Sequence, residues 1–334
     1  MVKTSKSPDN SKDIQDRFTN TSQRFQNLRE EIQKKIFGQE KVIELCLITL
    51  LSKGHVLLVG APGLAKTRLV TTISETTGLT SKRIQCTPDL MPADIIGSEV
   101  LEEDAKGKRS FKFIKGPVFT NLLLADELNR ASPRTQSALL QAMQENEVSI
   151  AGKTHKLSLP FHVLATQNPI EQDGTYPLPE AQLDRFLMQV DVPYPDEDAE
   201  KKLMTLTTHN EDTKVSKVLK PKDLTDAQDL IRMMPIGEKV VDAILKLVRN
   251  ARPETTSHER IKKLIEWAPG PRASQALMVA TRARALLDGR ETPSIDDVVV
   301  LAYPVLQHRM NLSFAAQAES VSKQSLIEEL CAGL

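Results

Sequence analysis

The sequence predicts an α/β fold, an αβα sandwich built on a five-stranded parallel sheet, followed by an all-helical C-terminal domain. Five short β-like runs alternate with segments long enough for crossover helices, which is the pattern of a parallel sheet. The amino-acid composition changes at VPYPDEDAEKK, which is rich in proline and charged residues, so a linker is expected there. The five predicted strands cover residues 55–59, 82–86, 122–125, 162–165 and 187–192.

Length and composition support two globular units. A chain of 334 residues exceeds a typical single domain, and 40% hydrophobic with 26% charged residues is ordinary for a protein that buries a core. Residues 1–13 contain almost nothing apolar, so a flexible tail is expected there. The predicted domains are a core at residues 14–192, and a linker with the helical domain at residues 193–334.

Charge and cysteine content argue against several classes of protein. The 44 basic residues balance 44 acidic ones, which disfavours a protein whose main task is to neutralise a nucleic-acid backbone. Cys46, Cys86 and Cys331 form no CxxC pair, so neither a disulfide framework nor a thiolate metal site is indicated. The sequence has no apolar run of about 18 residues, the length that spans a bilayer. A cytoplasmic protein without a membrane span is expected.

Apolar periodicity and capping signals predict the helices. An amphipathic pattern predicts one or two helices over residues 14–35, and crossover helices are expected at 66–77 and 134–146. A Ser-Pro pair before residue 134 is a good start signal for the last of these. The apolar residues that define the first pattern are Phe18, Phe25, Leu28 and Ile32.

Two pairs in the helical domain have the spacing of N-terminal capping boxes. Thr225 is followed three residues later by Gln228, and Ser294 by Asp297. Each pair predicts the start of a helix.

A glycine-containing loop, GAPGLAKT at residues 60–67, stands directly between a predicted strand and a predicted helix. In this context backbone N–H groups can wrap a β-phosphate, Lys66 can reach the β and γ oxygens, and the Thr67 hydroxyl can ligate Mg²⁺. Ala65 occupies a position where the general pattern has glycine. Its methyl group requires a backbone conformation that is open to L-residues, whereas Gly60 and Gly63 remain available for tight turning.

An apolar strand ends abruptly in two carboxylates, Asp126 and Glu127. Alone, this pattern is weak, since a strand followed by a solvated turn gives the same letters. Together with the lysine loop, it predicts that Asp126 holds Mg²⁺ and that Glu127 polarises the water that attacks the γ-phosphate. The next strand ends at Asn168, which could orient that water or could simply form an Asn-Pro turn.

Long phrases of this chain resemble the MoxR family of AAA+ ring ATPases, in the helix-2-insert branch. The resemblance covers residues from about 36 to 310 and includes IFGQEKVIE, VGAPGLAKT, LLLADELNRASPRTQSALLQAMQE, DGTYPLPEAQLDRF and PRAS. It implies a P-loop αβα core with a helical lid domain, ATP hydrolysis, and the cofactors ATP and Mg²⁺.

The resemblance also implies roles for particular residues. Lys66 and Thr67 match the Walker A lysine and threonine, Asp126 and Glu127 match the Walker B pair, and Asn168 matches sensor 1. The metal ligands it implies are Thr67 and Asp126. The nucleotide-binding residues it implies are Ile36, Phe37, Gly38, Gln39, Gly60, Ala61, Pro62, Gly63, Leu64, Ala65, Lys66, Thr67, Arg68 and Asp126.

Two arginines complete the implied set of catalytic residues. Arg185 matches the arginine finger that reaches the ATP of a neighbouring subunit, although an ordinary ion pair with Asp184 is an equal alternative. Arg272 matches sensor 2, a lid residue that contacts the γ-phosphate of its own subunit.

Two segments resemble the inserted hairpins of this family, at residues 97–116 and 147–157. The first is basic, with Lys106, Lys108, Arg109, Lys112 and Lys115, although a solvated hairpin would show the same charges.

The resemblance implies a ring, expected to be a hexamer, with a chaperone-like role. Its clients would be partner proteins, often ones with von Willebrand factor A domains, and the role includes maturation of metal enzymes. A nucleic-acid or chelatase-type motor acting through the basic hairpin is the alternative. A nucleotide-controlled scaffold with negligible turnover is a third hypothesis.

Overall fold

The computed structural model of the protein describes residues 8–103, 107–170, 174–207 and 213–334. Residues 1–7 of the predicted tail and Lys106 of the basic hairpin therefore lie outside the described residues. The first helix begins at Pro8, within the segment that the sequence predicted as a tail. None of the described helices is long and apolar enough to cross a membrane.

The chain alternates helices and strands up to residue 191 and is mainly helical afterwards. The helices are α1 (Pro8–Gln33), α2 (Glu40–Leu51), α3 (Lys66–Thr77), α4 (Pro92–Ile96), α5 (Pro133–Glu145), α6 (Glu180–Leu183), α7 (Glu197–Thr207), α8 (Pro221–Met233), α9 (Glu238–Asn250), α10 (Glu259–Leu264), α11 (Pro271–Leu287), α12 (Ile295–Leu306), α13 (Phe314–Ala318) and α14 (Lys323–Cys331). The strands are β1 (Val56–Val59), β2 (Ser81–Gln85), β3 (Gly97–Glu103), β4 (Arg109–Lys115), β5 (Leu122–Asp126), β6 (Glu147–Ile150), β7 (Lys153–Lys156), β8 (His162–Gln167), β9 (Met188–Asp191), β10 (Ile265–Trp267) and β11 (Asn311–Leu312).

Five strands form one parallel sheet in the order β2-β5-β8-β1-β9, so the predicted parallel sheet is confirmed. Because the strands are parallel, the loops that follow β1, β5 and β8 all leave the sheet at its carboxyl edge. Strand β9 pairs with β1 in the register Val56 opposite Met188. The residues just before β9 therefore lie at the amino edge.

Apolar side chains alternate between the two faces of this sheet and enter two separate hydrophobic clusters. Val56 and Leu58 belong to the cluster shared with α1, α2 and the helical domain, whereas Leu57 belongs to the cluster under α5. The amphipathic face of α1 is buried as predicted, with Phe25 and Leu28 at most 1% exposed. Helices thus cover both faces of the sheet, which confirms the αβα sandwich.

The two predicted hairpins are present, formed by β3 with β4 and by β6 with β7. They contact each other, because the Phe113 and His155 rings stack at 4.0 Å and Lys153 pairs with Glu99 at 3.1 Å. The inserted hairpins therefore form one surface.

Helices α7 to α14 make up the C-terminal domain, called the lid hereafter (residues 193–334). The prediction of an all-helical domain needs one correction, because β10 and β11 form a short antiparallel pair. The capping pair at Ser294 is confirmed, since the Ser294 N–H donates to the Asp297 carboxylate at 2.7 Å. The other pair is wrong, because α8 already begins at Pro221 and Thr225 lies inside it.

Candidate functional site

The loop between β1 and α3 is shaped by close contacts and by left-handed backbone conformations. A side chain at Gly60 would bring its Cβ to 2.8 Å from the Val192 carbonyl oxygen, so only glycine fits without movement. Gly63 has φ +83° and Ala65 has φ +54°. The left-handed region is open to an L-residue at a cost of about 1–2 kcal/mol. The loop therefore has the tight form of a phosphate-binding loop, and Ala65 carries strain.

Lys66 extends from the first turn of α3 across the loop. Its ammonium donates to the Gly60 carbonyl oxygen at 2.7 Å, which leaves two further donors on the same nitrogen. Burial lowers the pKa of Lys66, and the nearby carboxylates of Asp126 and Glu127 oppose that shift. The ammonium is thus placed close to two acids and beside the helix start, where a polyphosphate would find its positive charge.

A network of hydrogen bonds fixes the two acids at the end of β5. The Thr166 hydroxyl donates to Asp126 Oδ1 at 2.6 Å and accepts the Glu127 N–H at 2.8 Å. Arg83 donates from Nε and Nη2 to Asp126 Oδ2, at 3.2 and 2.7 Å. Arg130 donates to Glu127 Oε2 at 3.1 Å, and Glu127 itself has φ +54°. Both carboxylates are therefore oriented by named partners.

Asn168 follows β8 at the same edge of the sheet and is 5% exposed. Its Oδ1 accepts the Ile170 N–H at 3.1 Å, so the residue does form the turn that its Asn-Pro sequence indicates. The same residue lines the cavity described next. The two interpretations of Asn168 are therefore compatible.

A cavity of about 420 Å³ gathers these groups at the carboxyl edge of the sheet. Its lining brings together the loop, the two acids, Asn168, and two residues of β2 that the sequence analysis missed. It is lined by Pro62, Gly63, Leu64, Ala65, Lys66, Thr67, Arg68, Arg83, Gln85, Asp126, Glu127 and Asn168.

A smaller cavity of about 40 Å³ adjoins the loop and includes three of the residues at 36–39 that the resemblance implies for nucleotide binding. Ile36, Phe37 and Gln39 line it together with Arg68. Gln39 donates to the Leu64 carbonyl oxygen at 3.1 Å, which ties this segment to the phosphate loop. Gly38, by contrast, does not line this cavity.

A larger cavity, about 840 Å³, lies elsewhere, between β9, the start of α2 and the lid helices α12 and α14. It contains neither Lys66 nor the two acids. We place the candidate site in the cavity of about 420 Å³ at the carboxyl edge of the sheet, because the charged groups converge there.

Thr67 and Asp126 supply oxygen donors of the kind that Mg²⁺ prefers. Among the described residues, no cluster of three or more His, Cys, Asp or Glu side chains could hold a metal by itself. This combination fits an ion that takes its remaining ligands from substrate phosphates and water, as Mg²⁺ commonly does.

Arg185 and Arg272 lie apart from this cavity. Arg185 lies three residues before the start of β9, and the Leu187 N–H donates to the His55 carbonyl oxygen at 2.8 Å, just before β1 begins. This places Arg185 at the amino edge of the sheet, whereas the phosphate loop leaves from the carboxyl edge. Arg272 is there too, since its Nη1 lies 3.6 Å from Asp184 Oδ2.

These positions bear on two expectations. Arg272 lies beside the Arg185 segment, and its contact with the γ-phosphate of its own subunit stays a prediction. Asp184 is paired with Arg309 at 2.7 Å and with Arg272. The alternative of an Arg185–Asp184 ion pair is therefore replaced by pairs with other arginines.

Sequence reasoning also missed Thr166, Arg83 and Arg130. Thr166 lies two residues before Asn168 on β8, and its contact with Asp126 depends on the pairing of β8 with β5. Arg83 has no local signal, because its role depends on the pairing of β2 with β5, in which Gln85 lies opposite Asp126.

A parallel sheet with a lysine loop, two acids and an asparagine at its carboxyl edge defines a P-loop nucleotide-binding protein. Comparison with known families agrees. Residues 55–188 match the ATPase family associated with various cellular activities, and residues 257–330 match the AAA lid domain.

Individual relatives give a narrower assignment. Chaperone MoxR1 of Mycobacterium tuberculosis is 41% identical over 304 residues, covering 90% of this chain and 79% of the relative. Protein MoxR of Paracoccus denitrificans is 31% identical over 307 residues, covering 87% and 89%. A crystal structure of a candidate ATPase from Cytophaga hutchinsonii is 37% identical with a TM-score of 0.90, covering 97% of this chain and 98% of that one. The chain belongs to the MoxR family of AAA+ ATPases.

Proposed function

We propose that this chain hydrolyses Mg-ATP to ADP and phosphate, and that it works in a cytoplasmic ring of copies that remodels or matures partner proteins. One observation carries the proposal: the Lys66 ammonium, the Thr67 hydroxyl, the carboxylates of Asp126 and Glu127, and Asn168 line a single cavity. A structural strand-turn-helix would have no need to gather these five groups.

The side chains of this cavity divide the proposed work. The loop N–H groups and Lys66 bind the phosphates, and Thr67 and Asp126 would hold Mg²⁺, which neutralises phosphate charge when bound. Glu127 accepts hydrogen bonds from the attacking water and polarises it, and Asn168 helps to orient that water. The Thr166 hydroxyl fixes the Asp126 carboxylate and the Glu127 backbone relative to each other.

The amino-edge position of Arg185 and Arg272 supports a site shared between copies. A parallel strand rises about 3.3 Å per residue, so even the four-residue strand β1 puts roughly 10 Å between the two edges of the sheet. Both arginines lie at the edge opposite their own loop, which is what a site shared with a neighbouring copy requires. A head-to-tail contact of this kind generates a ring when its rotation closes, and we propose the hexamer that the family implies.

The inserted hairpins support a protein client. Leu101 and Phe111 lie opposite each other in the β3–β4 register and are 52% and 68% exposed. Such an exposed apolar pair suits a contact with another protein. Arg109 pairs with Glu103 and Lys112 with Glu102, so these two cations are already balanced within the hairpin. Nucleic acid is therefore the less suitable partner.

The first test separates ATP binding from hydrolysis. Glu127→Gln keeps the size of the side chain and one acceptor oxygen but removes the charge that polarises water. We expect ATP affinity to stay within about twofold while kcat falls by at least about 100-fold. Fluorescent-nucleotide titration and phosphate release measure the two quantities, with Glu145→Gln, which lies at the end of α5, as a matched control. Unchanged turnover in Glu127→Gln would contradict the assignment.

The second test concerns the shared site. We expect Arg185→Ala to lower kcat about 100-fold or more while each subunit still binds nucleotide, because the arginine completes the site of a neighbour. Full activity in this variant would remove the shared site from the proposal. Arg134→Ala is a suitable control, since Arg134 lies in the first turn of α5, away from β9.

The client can be tested with the same trapped form. Glu127→Gln protein loaded with ATP should retain partners that wild-type protein releases, and we propose that these include proteins with von Willebrand factor A domains. If no such domain binds in an ATP-dependent way, that part of the proposal fails. Stimulation of hydrolysis by single-stranded nucleic acid, with steep salt dependence, would instead favour the motor alternative.

A further inference from the structure

The turn that carries Arg185 is held by a buried arginine of the lid. Arg309, at the end of the short 3-10 turn that follows α12, has a side chain that is only 2% exposed. Its guanidinium reaches across the boundary between the lid and the core and contacts the residues on both sides of Arg185. No sequence motif pointed to this residue.

All three guanidinium nitrogens of Arg309 donate to oxygens. Nε donates to Asp184 Oδ1 at 2.7 Å, and Nη2 donates to the carbonyl oxygens of Asp184 at 3.3 Å and Phe186 at 2.7 Å. Nη1 donates to the carbonyl oxygen of Leu187 at 3.0 Å and to that of Val305, in the last turn of α12, at 2.6 Å. One side chain thus engages three of the four residues from 184 to 187 and leaves out only Arg185.

Neighbouring lid residues bind the same segment. The His308 ring donates from Nε2 to the Phe186 carbonyl oxygen at 3.1 Å, since a carbonyl can only accept. Gln307 exchanges hydrogen bonds with Gln189, because its amide donates to the Gln189 carbonyl oxygen and its Oε1 accepts from the Gln189 side chain, each at 3.1 Å. Three consecutive residues of the lid, Gln307 to Arg309, therefore hydrogen-bond the start of β9 and the turn before it.

This arrangement has a physical consequence for Arg185. The residues from 184 to 187 lie between α6 and β9, so their carbonyl groups take part in neither a helix nor a sheet ladder, and a buried carbonyl without a partner is unfavourable. Arg309 satisfies those of Asp184, Phe186 and Leu187 and thereby fixes the backbone from which Arg185 projects. It also engages the carboxylate of Asp184, the acid adjacent to Arg185, which pairs with Arg272 as well.

We propose that Arg309 is the positioning residue for the Arg185 finger, so that the lid of one subunit sets the geometry of the ATP site in the next. The proposal rests on the proposed shared site. A finger displaced by about 1 Å can lose up to about 100-fold in rate, so the backbone support of Arg185 bears directly on turnover.

The test uses Arg309→Lys, which keeps the positive charge but loses the planar fork that reaches several oxygens at once. We expect kcat to fall about tenfold or more, with the ATP affinity of each subunit unchanged within about twofold, because Arg309 is remote from the cavity around Lys66. Arg284→Lys is the matched control. It also breaks a largely buried guanidinium network, with Asp297 and Glu44, but does not contact the Arg185 turn.

Rings that mix two variants test whether Arg309→Lys in one subunit lowers ATP hydrolysis at the site of the neighbouring subunit. Co-expressed Arg309→Lys and Glu127→Gln subunits should recover hydrolysis, since the Glu127→Gln subunit supplies a well-positioned Arg185 to a neighbour whose Glu127 is intact. Arg185→Ala co-expressed with Glu127→Gln is the reference pair. Recovery in the reference pair alone would overturn the role of Arg309, whereas no recovery in either pair would count against the shared site itself.

A second variant covers the case in which Arg309→Lys fails to fold. Asp184→Asn retains every carbonyl acceptor of Arg309 but removes the ion pair, so the turn should loosen without losing its hydrogen bonds. We expect a smaller loss of kcat, rescued in the same mixed rings. Wild-type kcat in a folded Asp184→Asn ring, or a loss that mixing does not rescue, would contradict the proposal.

Discussion

At the scale of single residues, the strongest signals were those in which the chemistry is contiguous in the chain. GAPGLAKT and the Asp126–Glu127 pair could be interpreted from sequence because a strand, a loop and a helix start follow one another directly. Thr166 and Arg83 could not, because their contacts with Asp126 depend on which strands are neighbours and in what register. The sequence therefore predicted the groups that would bind ATP but missed those that orient them.

Thr166 provides a prediction at this scale. Thr166→Val preserves the shape but removes the hydroxyl that donates to Asp126 and accepts from the Glu127 N–H. We expect kcat to fall about 10- to 100-fold with ATP affinity largely kept, as is typical when the partner of a metal ligand is lost. Thr166→Ser restores the hydroxyl and should recover most of the activity. Equal rates for Val and Ser would show that the hydroxyl has no orienting role.

At the scale of elements, local capping chemistry decided where predictions held. Helix α3 has the predicted bounds, and Ser132 caps α5 as expected by accepting the Thr135 N–H. The capping box at Thr225 failed because stronger signals lie just upstream, where Pro221 opens α8 and the Lys220 N–H donates to Asp223 at 2.7 Å. Similar spacing alone could not discriminate between these two starts.

The phosphate loop provides a prediction at the scale of elements. Ala65→Gly should relieve left-handed strain of about 1–2 kcal/mol, partly offset by about 0.4–1 kcal/mol of extra unfolded-state entropy, so the net free energy of unfolding should rise slightly. Gly63→Ala is the opposite change, since it adds a Cβ at a residue with φ +83°. The added Cβ would meet nothing within 4 Å, so backbone strain is the only expected cost. Strain alone should then destabilise it by about 1–2 kcal/mol. Urea unfolding measures both, and a loss of stability in Ala65→Gly would refute the assigned strain.

At the scale of the whole molecule, the parallel sheet between helices could be predicted, but its strand order and the position of the lid could not. The alternation of strands and helices is a local property, whereas the contact of Arg272 with Asp184 depends on how α11 packs against α12 and α12 against β9. That packing places the Arg272 side chain beside Asp184, at the amino edge of the sheet. Long-range placement of this kind has no signature in a single sequence.

Buried histidines join the parts of the molecule. His55 donates from Nε2 to the Met143 carbonyl oxygen and accepts the Val163 N–H at Nδ1. His162 donates from Nδ1 to the Gly54 carbonyl oxygen, and its Nε2 accepts from the Gln228 amide of α8. Each ring therefore needs one unprotonated nitrogen, so a second proton would break a contact in both.

These contacts predict loss of stability in acid. Burial lowers the pKa of His55 to about 3, with a further contribution from His162, and lowers the pKa of His162 to about 4. The unfolded chain gains protons below about pH 6.5, where the folded chain does not, so stability falls as the pH drops from there toward the folded values. Each histidine contributes up to about 1.4 kcal/mol per pH unit in that window.

The measurement is the free energy of unfolding between pH 7 and pH 5. His162→Asn should flatten its pH dependence, because an amide can still donate to the Gly54 carbonyl oxygen but does not titrate. A slope as steep as that of the wild-type chain would assign the acid sensitivity to other groups.

The opposite placement of phosphate loop and finger arginines has a last consequence under the proposed shared site. A complete active site exists only at the interface between two copies. An isolated copy therefore carries a phosphate loop without the arginine of a neighbour, and an Arg185 without a neighbouring loop. Specific activity should then fall on dilution well before any chain loses its fold. An incomplete ring should also contain one subunit interface fewer than it has chains. Closing the ring would add the last interface and with it the last complete active site.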